Sequence, residues 1–152
     1  MRDVARWKWA NKAPIEDPER EASSLRDLAE EGRASGLDPE ATRSFFEAQI
    51  EAAKLMQREY FRRWGAGEPF PEAEIPDLKT EIRGRIDALN RDLIEALPGA
   101  LARLSDGGDP ARSLEPPAKR LLTAEGIDRE TRETALKPLL KLAGRKRADV
   151  VR

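Results

Sequence analysis

The 152-residue chain contains no cysteine and no histidine. Their absence removes thiol nucleophiles, disulfides, zinc sites of the cysteine and histidine kind, and imidazole acid–base catalysis. Any chemistry must rest on carboxylates, lysine, arginine, amides, hydroxyls or the backbone. An excess of one charge is also missing: 28 Lys and Arg face 29 Asp and Glu. A nucleic-acid-binding protein would normally show a positive excess, so no nucleic-acid partner is expected. No run of about 18 apolar residues exists to span a membrane as a helix, and residues 1–8 lack the apolar core of a signal peptide. What the chain has in abundance is charge of mixed sign, 38% of all residues, which suits helices with ion-paired outer faces. Its length predicts one domain that buries roughly two thirds of its unfolded surface.

Helix punctuation is clear. Asp17-Pro18 reads as an N-cap followed by proline at the first helical position, and Gly36 as the stop, with Ala22, Leu25, Leu28, Ala29 and Gly32 as the apolar stripe. Asp38-Pro39 repeats the start signal and predicts the longest helix, to about residues 64–65. A Pro-rich connector over residues 65–77 cannot be helical throughout. A fourth helix is expected over about 78–97, with Ile82, Ile86, Leu89, Leu93 and Leu97 on one face, broken or kinked at Pro98-Gly99. Residues 106–110 read as a loop. Two further amphipathic segments, near 117–124 and 129–143, are expected to stop at Gly126 and Gly144, with a bend at Pro138 and a solvated basic tail at Arg145-Lys146-Arg147. Nothing alternates as a strand would. The fold class is all-α, a helical bundle.

Within the longest helix Phe46, Ile50, Ala53, Tyr60 and Trp64 share a face, and Gln57 is the one polar residue in that series. A buried amide needs partners, so Gln57 is either satisfied within the core or aimed at something bound there. Lys8 lies one turn after Val4 and Ala5, Arg20 and Glu21 sit in the first turn of their helix, and Arg83 flanks the apolar face of the fourth. Taken singly each has a plain explanation as a core amide or a snorkelling surface side chain. Spacing within one sequence does not show that they converge.

The order of the motifs adds more. Val4-Ala5-Arg6-Trp7-Lys8 is followed by Pro14-Ile15-Glu16-Asp17-Pro18-Glu19-Arg20-Glu21, then by Gln49-Ile50-Glu51-Ala52-Ala53-Lys54-Leu55-Met56-Gln57 with Trp64, and then by Arg83-Gly84-Arg85-Ile86-Asp87-Ala88-Leu89-Asn90. This succession resembles the all-helical chorismate mutases, most closely their exported, periplasmic or secreted subclass. The resemblance covers about residues 3–97 and extends loosely through the C-terminal helices. It implies a catalytic portion over 1–97 and a C-terminal extension over 98–152 within one domain, and a homodimer. The implied reaction is the intramolecular Claisen rearrangement of chorismate to prephenate, with no metal or organic cofactor. Such a reaction needs no proton transfer, so a chain without His or Cys loses nothing. It needs a cage that folds a dianion and donors aimed at the ether oxygen as its bond breaks.

By this resemblance Lys8 donates to the ether oxygen and a carboxylate, and Gln57 donates its amide N–H to the same oxygen. Arg83 clamps a substrate carboxylate, while Asp17, Arg20 and Glu21 recognise the ring hydroxyl and orient Lys8. Ala53 and Ser24 occupy positions where relatives carry a hydroxyl and a longer polar side chain. Relatives also carry an arginine eleven residues before the lysine matched by Lys8, a position that would precede Met1. Losing such a carboxylate contact would cost on the order of 2–5 kcal/mol. The abrupt start is read as an internal methionine or a misassigned start, the longer product being exported; if Met1 is the true start, a shortened cytoplasmic form of reduced activity is expected. Two competing readings are a catalytically weak helical homologue that binds a small anion or a protein, and a generic helical interaction module.

Overall fold

The structure, a computed structural model, describes residues 1–71, 73–106, 109–123 and 127–150. Among these residues there are six α-helices and no strand: α1 (Arg2–Ala10), α2 (Pro18–Ala34), α3 (Pro39–Gly65), α4 (Arg83–Asp106), α5 (Pro110–Leu121) and α6 (Arg129–Val150). None of the described helices is long and apolar enough to cross a membrane.

The Asp-Pro starts work as their chemistry requires. The Asp17 side chain accepts the Arg20 amide and the Asp38 side chain accepts the Ala41 amide, while Pro18 and Pro39 stand where no donor is needed. At the end of α2 the chain turns through Gly36 at φ +77°, and the Leu37 amide reaches back to the Gly32 carbonyl at 2.9 Å. This doubly bonded turn closes the helix and drops Leu37 onto the core. The end of α1 makes the same turn without a glycine: Lys12 takes φ +51° and the Ala13 amide bonds the Lys8 carbonyl at 2.8 Å.

Three apolar clusters hold the helices together. Leu25 and Leu28 of α2, Phe45 and Phe46 of α3, and Ile94 and Leu97 of α4 form one. Val4 of α1 packs with Leu78 and Ile82 in the second. Ala5, Tyr60 and Trp64, with Trp9, Phe61 and Phe70 around them, form the third. Buried Arg6 ties α1 to the connector, its guanidinium donating to the carbonyls of Ala73 and Glu74.

Several expectations are corrected. A π-helical turn, Leu78–Ile82, precedes α4, with the Ile82 amide bonded to the Asp77 carbonyl at 3.0 Å. Neither Pro98 nor Gly99 breaks α4, which runs to Asp106, so the boundary drawn at residue 97 falls inside a helix. An interior proline costs about 3 kcal/mol. Burial of Ile94, Leu97, Leu101 and Leu104 on both sides of it contributes about 1.5–3 kcal/mol each, and packing wins. α5 begins at Pro110 rather than near 117 and accommodates Pro116 and Pro117. α6 does not stop at Gly144; one glycine among good helix formers costs only about 1 kcal/mol. Ala22 is exposed, and Leu89 is 55% exposed, so neither belongs to a buried stripe. The expected stop at Gly126 and the glycines of the 106–110 loop lie outside the described residues.

The crossing of α2 and α3 depends on a missing side chain. A methyl group at Gly32 would meet Thr42 Cγ2 at 2.6 Å and Oγ1 at 2.7 Å. Thr42 is fully buried, and its hydroxyl donates to the Asp38 carbonyl at 2.9 Å. Gly32→Ala is therefore expected to destabilise the fold by roughly 1–3 kcal/mol through overpacking. Thermal denaturation would show it as a drop of several degrees; an unchanged or higher Tm would contradict the close approach.

Candidate active site

A cavity of about 380 Å³ lies between the first two apolar clusters and is lined from α1, α2, α3, the π-helical turn, α4 and α6. Phe46 and Leu28 wall one side, and Val4, Leu78 and Ile86 the other. All eight residues singled out from the sequence line it: Lys8 from α1; Asp17, Arg20, Glu21 and Ser24 from the start of α2; Ala53 and Gln57 from α3; and Arg83 from the start of α4. Four separate helices thus bring their polar residues to one space.

Lys8 is held from its own loop. Its ammonium donates to the Ile15 carbonyl at 2.5 Å, and the left-handed turn at Lys12 carries the chain back to make that contact. Burial lowers its pKa below the usual lysine value; Asp17, Glu21 and Glu16 oppose that shift and Arg83 adds to it. One N–H is occupied by Ile15, which leaves donors for a ligand.

Gln57 is 4% exposed. Its Nε2 donates to the Ala53 carbonyl one turn back at 3.1 Å, and its Oε1 has no protein partner. With one N–H spent on the helix, the second remains, as does an acceptor with nothing to accept. A buried, half-satisfied amide at a cavity wall is costly unless something bound completes it.

The two arginines are loosely countered. Arg83 lies 3.7 Å from Asp17, and Arg20 lies 3.7 Å from Asp87. Both distances exceed hydrogen-bond range, so the guanidinium donors are free to exchange these partners for a better-placed carboxylate. Glu21 is more firmly engaged. One oxygen accepts the Asp17 amide at 3.1 Å, and the other accepts from Lys54 at 3.0 Å. Lys54 is buried and also meets Glu51 at 2.5 Å. Burial alone would lower its pKa, but the hydrogen bonds that its ammonium donates to Glu51 and Glu21 outweigh that and raise it. Lys54 therefore locks the start of α2 onto α3.

Reading by motif left several lining residues unweighted. Lys54 and Gln49 stand within the third block; Gln49 donates to the Ala135 carbonyl of α6 at 2.8 Å. Asn90 closes the fourth block, and Leu122, Thr131, Arg132 and Ala135 come from beyond it. The C-terminal helix is part of the wall, and no short motif announces that.

Lys8 must carry its proton to act as a donor. Because the fraction protonated falls as pH rises through its pKa, and that pKa is lowered, kcat/KM should decline on an alkaline limb that begins below the ordinary lysine value. An anionic ligand bound beside Lys8 would favour the ammonium and move the limb in kcat to higher pH. A pH–rate series checks both; kcat/KM flat to pH 10.5 would remove Lys8 from the donor role.

A family model described as chorismate mutase type II matches residues 1–58. The crystal structure of a chorismate mutase from Burkholderia thailandensis superposes with a TM-score of 0.79 and 38% identity, covering 90% of this chain and 87% of that one. A secreted chorismate mutase of Mycobacterium tuberculosis is 32% identical over 94 residues, 62% of this chain and 47% of that protein. One from Yersinia pestis is 28% identical over 130 residues, 84% of this chain and 69% of that protein. The chain thus spans about half the length of the Mycobacterium relative. With the likeness to the Burkholderia protein extending over most of both chains, and the polar residues of four helices gathered in one cavity, the chain belongs to the chorismate mutase family.

Proposed function

We propose that the protein is an isomerase that converts chorismate to prephenate. The observation that carries this reading is the convergence of Lys8, Gln57, Arg20 and Arg83 on a single cavity whose walls are otherwise apolar. The reaction is intramolecular: the ether C–O bond breaks as a C–C bond forms, and no proton or group enters or leaves. Catalysis therefore reduces to holding the folded dianion and stabilising charge that grows on the ether oxygen. Two donors suit that oxygen, the Lys8 ammonium and the second N–H of Gln57, the first hydrogen of each being fixed to a backbone carbonyl. That anchoring keeps both groups in place before substrate arrives, which is what electrostatic preorganisation requires. Arg83 would exchange Asp17 for a substrate carboxylate, and Arg20, with Asp17 and Glu21, would meet the ring hydroxyl. Ala53 and Ser24 shape the floor without offering a long donor.

By likeness to relatives named as secreted, the protein is read as exported, and by resemblance as a homodimer; fractionation and light scattering test these two points. The activity itself is tested with purified protein and chorismate, following the loss of the diene absorbance. Saturable turnover supports the proposal. Absence of turnover would refute it, whether or not a bicyclic dianionic mimic of the transition state binds.

A further inference from the structure

Five lysine and arginine side chains line the cavity: Lys8, Arg20, Lys54, Arg83 and Arg132. Three of them face carboxylates at ion-pair distance, namely Arg20 with Asp87, Lys54 with Glu21 and Glu51, and Arg83 with Asp17. Among the described residues, Lys8 and Arg132 have hydrogen bonds to backbone carbonyls and no ion pair. Arg132 stands in the first turn of α6. Its Nη1 reaches the carbonyls of Leu122 and Ile127, each at 3.3 Å, long bonds that occupy one edge of the guanidinium. Asp128, one turn earlier, is engaged in capping α6, its carboxylate accepting the Thr131 amide at 2.8 Å. α6 is fixed against α3 by the bond from Gln49 to the Ala135 carbonyl, and both of those residues line the same cavity. Arg132 is thus a half-buried guanidinium on a cavity wall with donors left over; its charge helps to hold the nearby Asp128 carboxyl ionised, but the two form no ion pair.

We infer that Arg132 is a substrate-binding residue: it takes one carboxylate of the dianion, so that the C-terminal helix completes the site. The assignment rests on the reading of the cavity as a site for a dicarboxylate. It gives α6 a role in the active site rather than in bracing alone. A guanidinium whose first edge is fixed to two carbonyls presents its second edge in a set direction, which suits recognition of a planar carboxylate.

The test uses the full chain and three variants, Arg132→Ala, Arg132→Lys and, as a cation outside the cavity, Lys137→Ala. Steady-state rates with chorismate are measured alongside calorimetric binding of the bicyclic dicarboxylate mimic and of its monomethyl ester. Arg132→Ala is expected to raise KM at least tenfold with kcat changed less than threefold. The preference for the diacid over the monoester should collapse, Arg132→Lys should recover part of both effects, and Lys137→Ala should recover the wild-type values. Thermal denaturation separates a structural contribution, because loss of the Leu122 and Ile127 contacts alone would lower Tm without changing the diacid preference. Should the alanine variant fail to fold, Arg132→Lys carries the test, since it keeps the charge and loses the fork. Unchanged KM and unchanged diacid preference in a folded Arg132 variant overturn the inference. A wild-type protein that binds the diacid in an Arg132-dependent way but does not turn over chorismate overturns the proposed activity and leaves this assignment standing; failure of both binding and turnover overturns both.

Discussion

Replacement of Lys8 by alanine is expected to lower kcat/KM for chorismate by about 10²–10³-fold, the loss seen when one donor to a developing oxyanion is removed. The effect should be large because the ammonium has no substitute of the same kind. Lys54 is fixed between Glu21 and Glu51, and Arg83 and Arg20 already face Asp17 and Asp87. Stability should suffer little, since the change removes only one side-chain bond, to Ile15, at a partly exposed position. Lys8→Met is the companion variant, because it keeps the length and apolar stem of the side chain. If it behaves as Lys8→Ala does, the charge and its N–H groups are responsible. Near-normal rates in a folded Lys8→Met protein would sink the assignment.

Gln57→Glu is expected to introduce a strong pH dependence on the acid side of the Lys8 limb, where the wild-type rate should be flat. The neutral carboxamide offers the same N–H at any ordinary pH. A carboxyl at this position, 4% exposed, offers a donor only when protonated, and when ionised it repels a dianion. Burial raises a carboxyl pKa; the cations Lys8 and Lys54 nearby lower it and limit the rise. With the protonated form active, the rate falls tenfold for each pH unit above that pKa. For a carboxyl titrating about two units below pH 7.5, the loss there is on the order of 100-fold, with recovery in acid. The measurement is kcat/KM of both proteins from pH 4.5 to 8. Parallel profiles would show that the Gln57 amide does not act as a donor. The orphaned Oε1 adds a second readout: Gln57→Leu removes an unsatisfied buried acceptor, so a loss of activity accompanied by little change in Tm separates function from stability.

The helices themselves were legible because their signals are local. Asp-Pro starts, the αL turn at Gly36 and the 3.6-residue spacing of Phe46, Ile50, Ala53, Gln57, Tyr60 and Trp64 concern one turn of chain at a time. The motif blocks extended that reach, since they placed Lys8, Arg20, Gln57 and Arg83 in a known order. The misreadings have the opposite character. Pro98 and Gly144 are local break signals overridden by packing or by strong neighbours. Leu89 follows the spacing of a buried stripe but lies 55% exposed on the lining of the cavity.

The sequence by itself determined that this is an all-helical chain whose chemistry, without histidine or cysteine, rests on carboxylates, lysine, arginine, amides, hydroxyls or the backbone, and its motif order named candidates for that chemistry in the first four helices. Only the tertiary structure decided that they meet in one cavity, that Lys8 is held by the Ile15 carbonyl, that one oxygen of Gln57 is left without a partner, and that Arg132 stands on the same wall. The physical reason is that helical periodicity fixes which residues share a face of one helix. The distance between faces depends on how helices cross, and that is set by contacts far apart in sequence, such as Gly32 against Thr42 and Gln49 against Ala135.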